Sequence, residues 1–169
     1  MTASSILSLA RLVAILTPVA LLGGALASQY IGRLHPCEMC MGQRWPHVAA
    51  IFLALAAIAL RKRVSASALF TGLAAIAIGV SGVIGAFHAG VEYHWWEGIT
   101  ACSTATTGGS TAEMLDAIMA APLTRCDTAP WSLLGISLAG YNALISLGAA
   151  TVIVLLLRRW TRMTRRALS

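Results

Sequence analysis

The chain has 169 residues, 58% of them hydrophobic and only 11% charged, with a formal net charge of +6. Apolar residues gathered in long blocks, instead of short periodic runs, exclude an ordinary soluble domain and point to an integral membrane protein. The basic residues abut those blocks, so the positive charge is not that of a nucleic-acid-binding surface.

Four stretches carry no charge: Leu12 to Gly32, Trp45 to Leu60, Val64 to Val91 and Thr128 to Leu157. About 20 apolar residues cross a hydrocarbon core, so each stretch can hold a membrane-spanning helix. The second is the shortest and needs the flanking Met41 to Arg44 segment, or snorkelling side chains, to cross. The first is longer than the apolar region of a secretory signal and lacks a small-residue cleavage site followed by a polar domain, so it reads as a retained helix. The spans are expected at about 12–32, 43–60, 66–90 and 130–157, with loops at about 33–42 and 91–129 on one side of the membrane.

Charge placement sets the orientation. Of the 12 basic residues, Arg11, Arg61, Lys62, Arg63, Arg158, Arg159, Arg162, Arg165 and Arg166 fall at the N-terminus, between spans two and three, or after span four. Short Lys- and Arg-rich loops stay in the cytoplasm. The acids Glu38, Glu92, Glu97, Glu113, Asp116 and Asp127 all fall in the other two loops, which are expected to face outward. A bacterial inner membrane with both termini cytoplasmic is the expected setting.

All four cysteines, Cys37, Cys40, Cys102 and Cys126, lie in the two outward loops, on the side where disulfides are permitted. They form a tight C-x-x-C at 37 and 40 and a wide pair at 102 and 126. Read as a structural staple, the wide pair restricts the unfolded chain by on the order of 3.5 kcal/mol. A staple leaves the C-x-x-C unexplained, since its ring closes almost no loop and its spacing is that of exchange-active or metal-binding pairs. Zinc is a second reading of four cysteines, but Cys102 and Cys126 lack the short spacing of a zinc ribbon. Met41 follows the motif where haem attachment needs a histidine. Dithiol exchange, structural disulfides and a metal site stand as the three readings of these spacings.

The stretch "HPCEMCMGQRWPH", residues 35 to 47, holds the C-x-x-C. Pro36 ends the preceding extended segment and the second span can begin near Cys40, which puts the pair at a helix N-terminus. Free backbone N–H groups and the positive dipole end favour a thiolate there. Arg44 lies one turn deeper on the same face as Cys40. An arginine at the hydrocarbon edge snorkels, pairs or meets a ligand; the functional reading is that it stabilises the Cys40 thiolate and donates to an oxygen of a membrane-borne electron acceptor such as a lipid quinone. Glu38, inside the motif, is expected to raise the thiol pKa values against the helix-terminus effect.

The histidines are less specific. His35, His47 and His94 read as interfacial hydrogen-bonding residues, while His88 stands near the outer end of span three at a depth comparable to Arg44. Trp95 and Trp96 read as part of an aromatic belt. In the long outer loop, "CSTATTGGST", residues 102 to 111, is small, polar and glycine-bearing, and is expected to be mobile. "TAEMLDAIMAA" follows with a Thr cap, early acids and Met114, Leu115, Ile118 and Met119 at helical spacing. It is expected to form a short surface helix on the outer leaflet or against the bundle. No internal repeat, phosphate-binding loop or Ser/His/Asp nucleophile set is present, which leaves an all-α, single-domain, four-helix membrane bundle with an active outer face.

These residues resemble the bacterial disulfide-bond-formation protein B (DsbB) membrane oxidases over nearly the whole chain. The local matches are "PCEMCMGQR", "FHAGVEYHWW" leading to Cys102, and "CDTAPWSLLGIS" running from Cys126 into span four. The resemblance implies a protein-dithiol:quinone oxidoreductase in which Cys37, Cys40, Cys102 and Cys126 are catalytic, Arg44 and His88 bind a ubiquinone or menaquinone, and no metal takes part. It also implies a periplasmic DsbA-like thioredoxin-fold partner that attacks Cys102 of a Cys102–Cys126 disulfide. Electrons would then reach the Cys37 and Cys40 pair through a Cys37–Cys126 interloop bond that frees Cys40. Two other readings of the same features are a vitamin K epoxide reductase-like quinone-linked thiol oxidoreductase, and a disulfide-stapled membrane scaffold that would not turn over quinone.

Overall fold

The structure is a computed structural model and describes residues 2–99, 110–112 and 124–167. Among the described residues four long helices carry the fold: α1 (Ala3–Tyr30), α2 (Glu38–Ala59), α3 (Val64–Glu92) and α4 (Leu138–Arg166). A small antiparallel hairpin, β1 (Ser132–Leu133) with β2 (Ile136–Ser137), precedes α4 in the register Ser132 to Ser137 and Leu133 to Ile136. α3 packs against α2 and α4, and α1 closes the bundle against the same two helices.

Local chemistry starts the helices where it should. The Thr2 hydroxyl accepts from the Ser5 amide at 3.3 Å to cap α1, and the Ser137 hydroxyl accepts from the Gly140 amide at 3.1 Å to cap α4. Side-chain oxygens at this position satisfy amides that have no partner inside the helix. Cys37 caps α2 in the same way, its sulfur accepting from the Cys40 amide at 3.3 Å.

The interior is built on small residues. Ala10 and Ala14 of α1, Ala50 and Ala54 of α2, and Ala74 and Ala75 of α3 meet Ile78 and Ile153 in one buried cluster. Between α3 and α4 the backbones come closer still: a Cβ on Gly82 would lie 2.9 Å from Leu147, and one on Gly85 would lie 2.9 Å from the Asn142 side chain. Helices in lipid associate through this kind of close packing and through interhelical hydrogen bonds, because burying apolar surface gains nothing there.

The distribution of polarity is that of a membrane protein. Large apolar side chains such as Leu16, Phe52, Ile76 and Leu144 are exposed on the outside, while Gln43, His47, Ser81, His88 and Asn142 are buried within. α1, α3 and α4 are long and apolar enough to cross a membrane. In α2 the first turns carry Gln43, Arg44 and His47, yet its outer face presents Phe52 and Leu55 like the rest.

The helices differ from the apolar stretches at their ends. α1 starts at Ala3 and α4 continues to Arg166, because charged residues continue a helix into water without cost to its backbone bonds. α4 begins at Leu138 and not near residue 130. Leu134 and Gly135, with φ of 52° and 77°, form the two-residue turn that a tight hairpin requires, and the apolar run is interrupted there. Tyr93 at the end of α3 clasps this hairpin, its hydroxyl donating to the Gly135 carbonyl and accepting from the Ser137 amide, both at 3.0 Å. Residues 111–112 are helical; the rest of the expected surface helix, the glycine-bearing stretch before it and Cys102 lie outside the described residues.

Candidate functional site

The C-x-x-C stands at the mouth of α2. Cys37 precedes the helix and Cys40 lies in its first turn, ahead of the segment expected to enter the hydrocarbon. Their sulfurs are 3.0 Å apart, with Cys37 donating. The two thiols are driven in opposite directions. Cys37 is pushed up to about 12, first because its proton is held by Cys40 and then by burial. Cys40 is lowered, first by that same bond from Cys37, against the opposing effects of burial and of Glu92. Of the two, Cys40 is the sulfur that loses its proton more readily. Glu38 is exposed, and the carboxylate whose field bears on Cys40 is that of the buried Glu92. The net direction at Cys40 is downward all the same, because the direct sulfur–sulfur hydrogen bond outweighs the opposing effects of burial and charge.

Cys126 comes from the other outer loop and is fully buried in one cluster with Cys37, Met39 and Val91, against which Cys40 and Phe87 also pack. Its neighbours Arg125 and Asp127 form an ion pair at the surface, with Arg125 Nε 2.8 Å from Asp127 Oδ1. Arg125 holds the Asp127 carboxyl below the usual carboxylate range. Three of the four sequence-predicted cysteines thus meet in one place.

His88 lies against this cluster. Its Nδ1 is 2.8 Å from Gln43 Nε2, and Gln43 Nε2 also donates to the Met39 carbonyl at 3.2 Å. A carbonyl only accepts, so that atom of Gln43 is the nitrogen, and His88 Nδ1 is its acceptor. The neutral ring then carries its proton on Nε2, which faces Cys37 Sγ at 3.6 Å and Glu92 Oε1 at 3.8 Å. Glu92 Oε2 is buried and has no hydrogen-bond partner among the described residues. Cys37 Sγ, Cys40 Sγ and one ring nitrogen of His88 lie within 4.8 Å of one another, but to ligate a metal with the two sulfurs His88 would have to give up the proton on Nε2.

Beside Cys40 a cavity of about 230 Å³ opens between α1, the first turns of α2 and the start of α4. Ala20 to Ala25 of α1 give it an apolar side, and its polar groups come from Ser28, His35, Cys40, Gln43, Arg44, His47, Glu92, Tyr141 and Asn142. The volume falls below the roughly 300–1,000 Å³ of drug-sized ligand pockets, so it accommodates one ring and not a whole isoprenoid molecule. Arg44 is tethered to α1: Nη1 donates to Gln29 Oε1 at 2.5 Å and Nη2 to the Ala25 carbonyl at 3.3 Å. The expected partnership with Cys40 takes the form of a shared cavity wall, while the guanidinium's hydrogen bonds run across to α1. His88 is placed against Cys37, behind Cys40, and does not contribute to this wall.

Sequence reasoning passed over Gln43, Ser81, Glu92, Asn142 and Ser146, and read His47 as interfacial. The structure buries all six. Their signal was present as polar residues at helical spacing inside apolar runs: Cys40, Gln43 and His47 on α2; Ser81, His88 and Glu92 on α3; Asn142 and Ser146 on α4. What this arrangement can do is dithiol–disulfide exchange, with a sulfur of lowered pKa opening on a ring-sized cavity.

The comparisons agree with that chemistry. The family model described as "Disulfide bond formation protein DsbB" matches residues 8–156. No curated protein and no solved structure matches the chain. The match covers most of the chain, including the C-x-x-C, Cys102 and Cys126. The chain therefore belongs to the DsbB family, whose members are membrane oxidoreductases that form disulfides and use quinones.

Proposed function

We propose that the chain reoxidises a periplasmic DsbA-like thioredoxin-fold thiol oxidase and delivers the two electrons to a membrane quinone, ubiquinone or menaquinone. The observation that carries the reading is the burial of Cys126 in one cluster with Cys37, next to a Cys40 that shares a ring-sized cavity with Arg44. The basic N-terminus, Arg61 to Arg63 loop and C-terminal arginines support an inner-membrane orientation with both termini cytoplasmic.

Exchange proceeds sulfur to sulfur. A partner thiolate attacks Cys102 of the Cys102–Cys126 disulfide, and Cys126 leaves as a thiolate. Cys126 attacks Cys37 of the Cys37–Cys40 disulfide, forming the interloop bond and releasing Cys40. The second partner thiol resolves the mixed disulfide at Cys102 and departs oxidised. Cys102 then attacks Cys126, restoring its own disulfide and leaving Cys37 and Cys40 reduced. His88, with its proton on Nε2 facing Cys37, is placed to protonate the Cys37 sulfur as it leaves. The donors suit a quinone: apolar walls for the ring and an arginine for a ring oxygen, Arg44 having N–H groups beyond those given to α1. A bound quinone accepts two electrons and two protons, the number that Cys37 and Cys40 release on forming their disulfide.

The test is purified protein with reduced partner and a quinone, followed by quinone absorbance. One quinone should be consumed for each partner disulfide formed, and a disulfide-stapled scaffold would consume none. A partner lacking its second, resolving thiol should accumulate as a Cys102 mixed disulfide with the intact chain on non-reducing gels, Cys126 having left as the thiolate. An adduct mapping to Cys37 would reverse the assignment of the loops.

A further inference from the structure

The buried polar groups beneath the cavity form a directional network. Asn142 Nδ2 donates to the Ser81 carbonyl at 3.2 Å and to Gln43 Oε1 at 2.8 Å. The carbonyl fixes which end of the Asn142 amide is nitrogen, so Asn142 Oδ1 is the end that faces His47 Nε2, at 2.9 Å. The Ser81 hydroxyl spends its single proton on the Gln43 carbonyl at 2.8 Å, and so meets His47 Nε2, also at 2.9 Å, as an acceptor. Two acceptors at one ring nitrogen require that Nε2 carry the proton. In the neutral ring Nδ1 is then a bare lone pair. His47 is only 3% exposed, its Nδ1 is buried with no hydrogen-bond partner among the described residues, and the residue lines the cavity shared by Cys40 and Arg44.

A buried acceptor without a donor is costly unless something supplies one. We infer that the His47 Nδ1 lone pair accepts a hydrogen bond from a hydroxyl of the reduced ring, so that the cavity holds a hydroquinone more tightly than the corresponding quinone. The inference rests on reading this cavity as the quinone site. A quinone presents only acceptor oxygens, which meet the Nδ1 lone pair without a hydrogen bond. A hydroquinone presents O–H donors that satisfy it. Arg44 donates to an oxygen in either redox form and does not discriminate between them; His47 does, and the Glu92 carboxylate, which lines the same cavity with Oε2 unpartnered among the described residues, is a second acceptor of this kind. Tighter holding of the reduced form favours reduction of the bound ring, the direction in which the two electrons of Cys37 and Cys40 must run.

The experiment uses the full chain in detergent micelles on a Cys37→Ser/Cys40→Ser background, in which no electrons pass between sulfur and ring. A benzoquinone with one isoprene unit and its hydroquinone are titrated separately by calorimetry under argon. The hydroquinone should bind about 3- to 10-fold more tightly, the worth of one neutral hydrogen bond. His47→Gln places an amide nitrogen where Nε2 was, keeping donation to Asn142 and Ser81, and removes the Nδ1 acceptor. It should weaken hydroquinone binding alone and so lower the ratio, whereas Arg44→Lys should weaken both forms. In protein labelled with 15N-histidine, the His47 Nδ1 resonance should move on adding hydroquinone and stay on adding quinone, a readout that does not depend on any variant folding. Equal affinities in the His47-containing protein, a ratio unchanged by His47→Gln, or an unmoved Nδ1 resonance with saturated hydroquinone would overturn the assignment. Absence of saturable binding of either form would instead remove the cavity as the quinone site, and the role of His47 with it.

Discussion

Arg44→Lys tests what the arginine does at the cavity. The guanidinium makes two hydrogen bonds to α1, to Gln29 Oε1 at 2.5 Å and to the Ala25 carbonyl at 3.3 Å, while lining the cavity beside Cys40. A planar fork with five N–H groups can hold both α1 acceptors and still present a donor to a ring oxygen. A lysine keeps the charge, but its ammonium is a single point that cannot occupy both places. If it stays on α1, the charge-assisted bond to the ring is lost, worth about 1.5–3 kcal/mol. That corresponds to roughly 10- to 150-fold in apparent quinone affinity. The dependence on the thiol partner should barely change, since in the proposed exchange the partner meets Cys102 and not this cavity. Steady-state rates measured with quinone and partner varied independently separate the two. If Arg44→Lys leaves the quinone dependence untouched and raises the partner KM, Arg44 is not at the quinone site and serves as a snorkelling residue tethering α2 to α1.

Three further outcomes are expected. Iodoacetamide should modify Cys40 of the reduced protein first; its thiolate is present above its lowered pKa and lost as pH falls through it, so the rate midpoint lies below 9.0, while Cys37, pushed up to about 12, stays protonated. Mass spectrometry of the first adduct decides this, and modification of Cys37 ahead of Cys40 would contradict it. An impermeant thiol reagent on intact cells should label single-cysteine variants retaining Cys37 or Cys102; protection of either until the inner membrane is broken would reverse the orientation. Gly85→Ala should lower the melting temperature, because its Cβ would lie 2.9 Å from Asn142 Nδ2 and 3.1 Å from the Ala139 carbonyl, and overpacking of about 1–3 kcal/mol exceeds the gain of ~1 kcal/mol from helix propensity. Gly23→Ala, with nothing within 4 Å, should show no such loss.

The membrane class, the helical bundle and the place of Cys37 and Cys40 at a helix mouth are legible in the order of residues. Those features follow from local properties: the length of an apolar run, the side of it on which arginines fall, and a proline followed by a sulfur that can cap a helix. The same locality explains the misplaced start of α4, where a charge-free run from Thr128 to Leu157 concealed the turn at Leu134 and Gly135. Which partners the polar residues inside those runs meet emerges from the packing of the helices. His47 meets Asn142 from 95 positions away, Gln43 meets His88 from 45, and Arg44 reaches back 15 to Gln29. Hydropathy could say that such residues are expensive in a membrane, but not which partners relieve the cost. Likewise a C-x-x-C states that two sulfurs are close, and only packing sets a third, Cys126, against them and moves the Cys37 and Cys40 thiols in opposite directions from their ordinary pKa. Hydrogen-bond direction is a property of paired atoms brought together from separate helices, and the chain order of residues does not contain it.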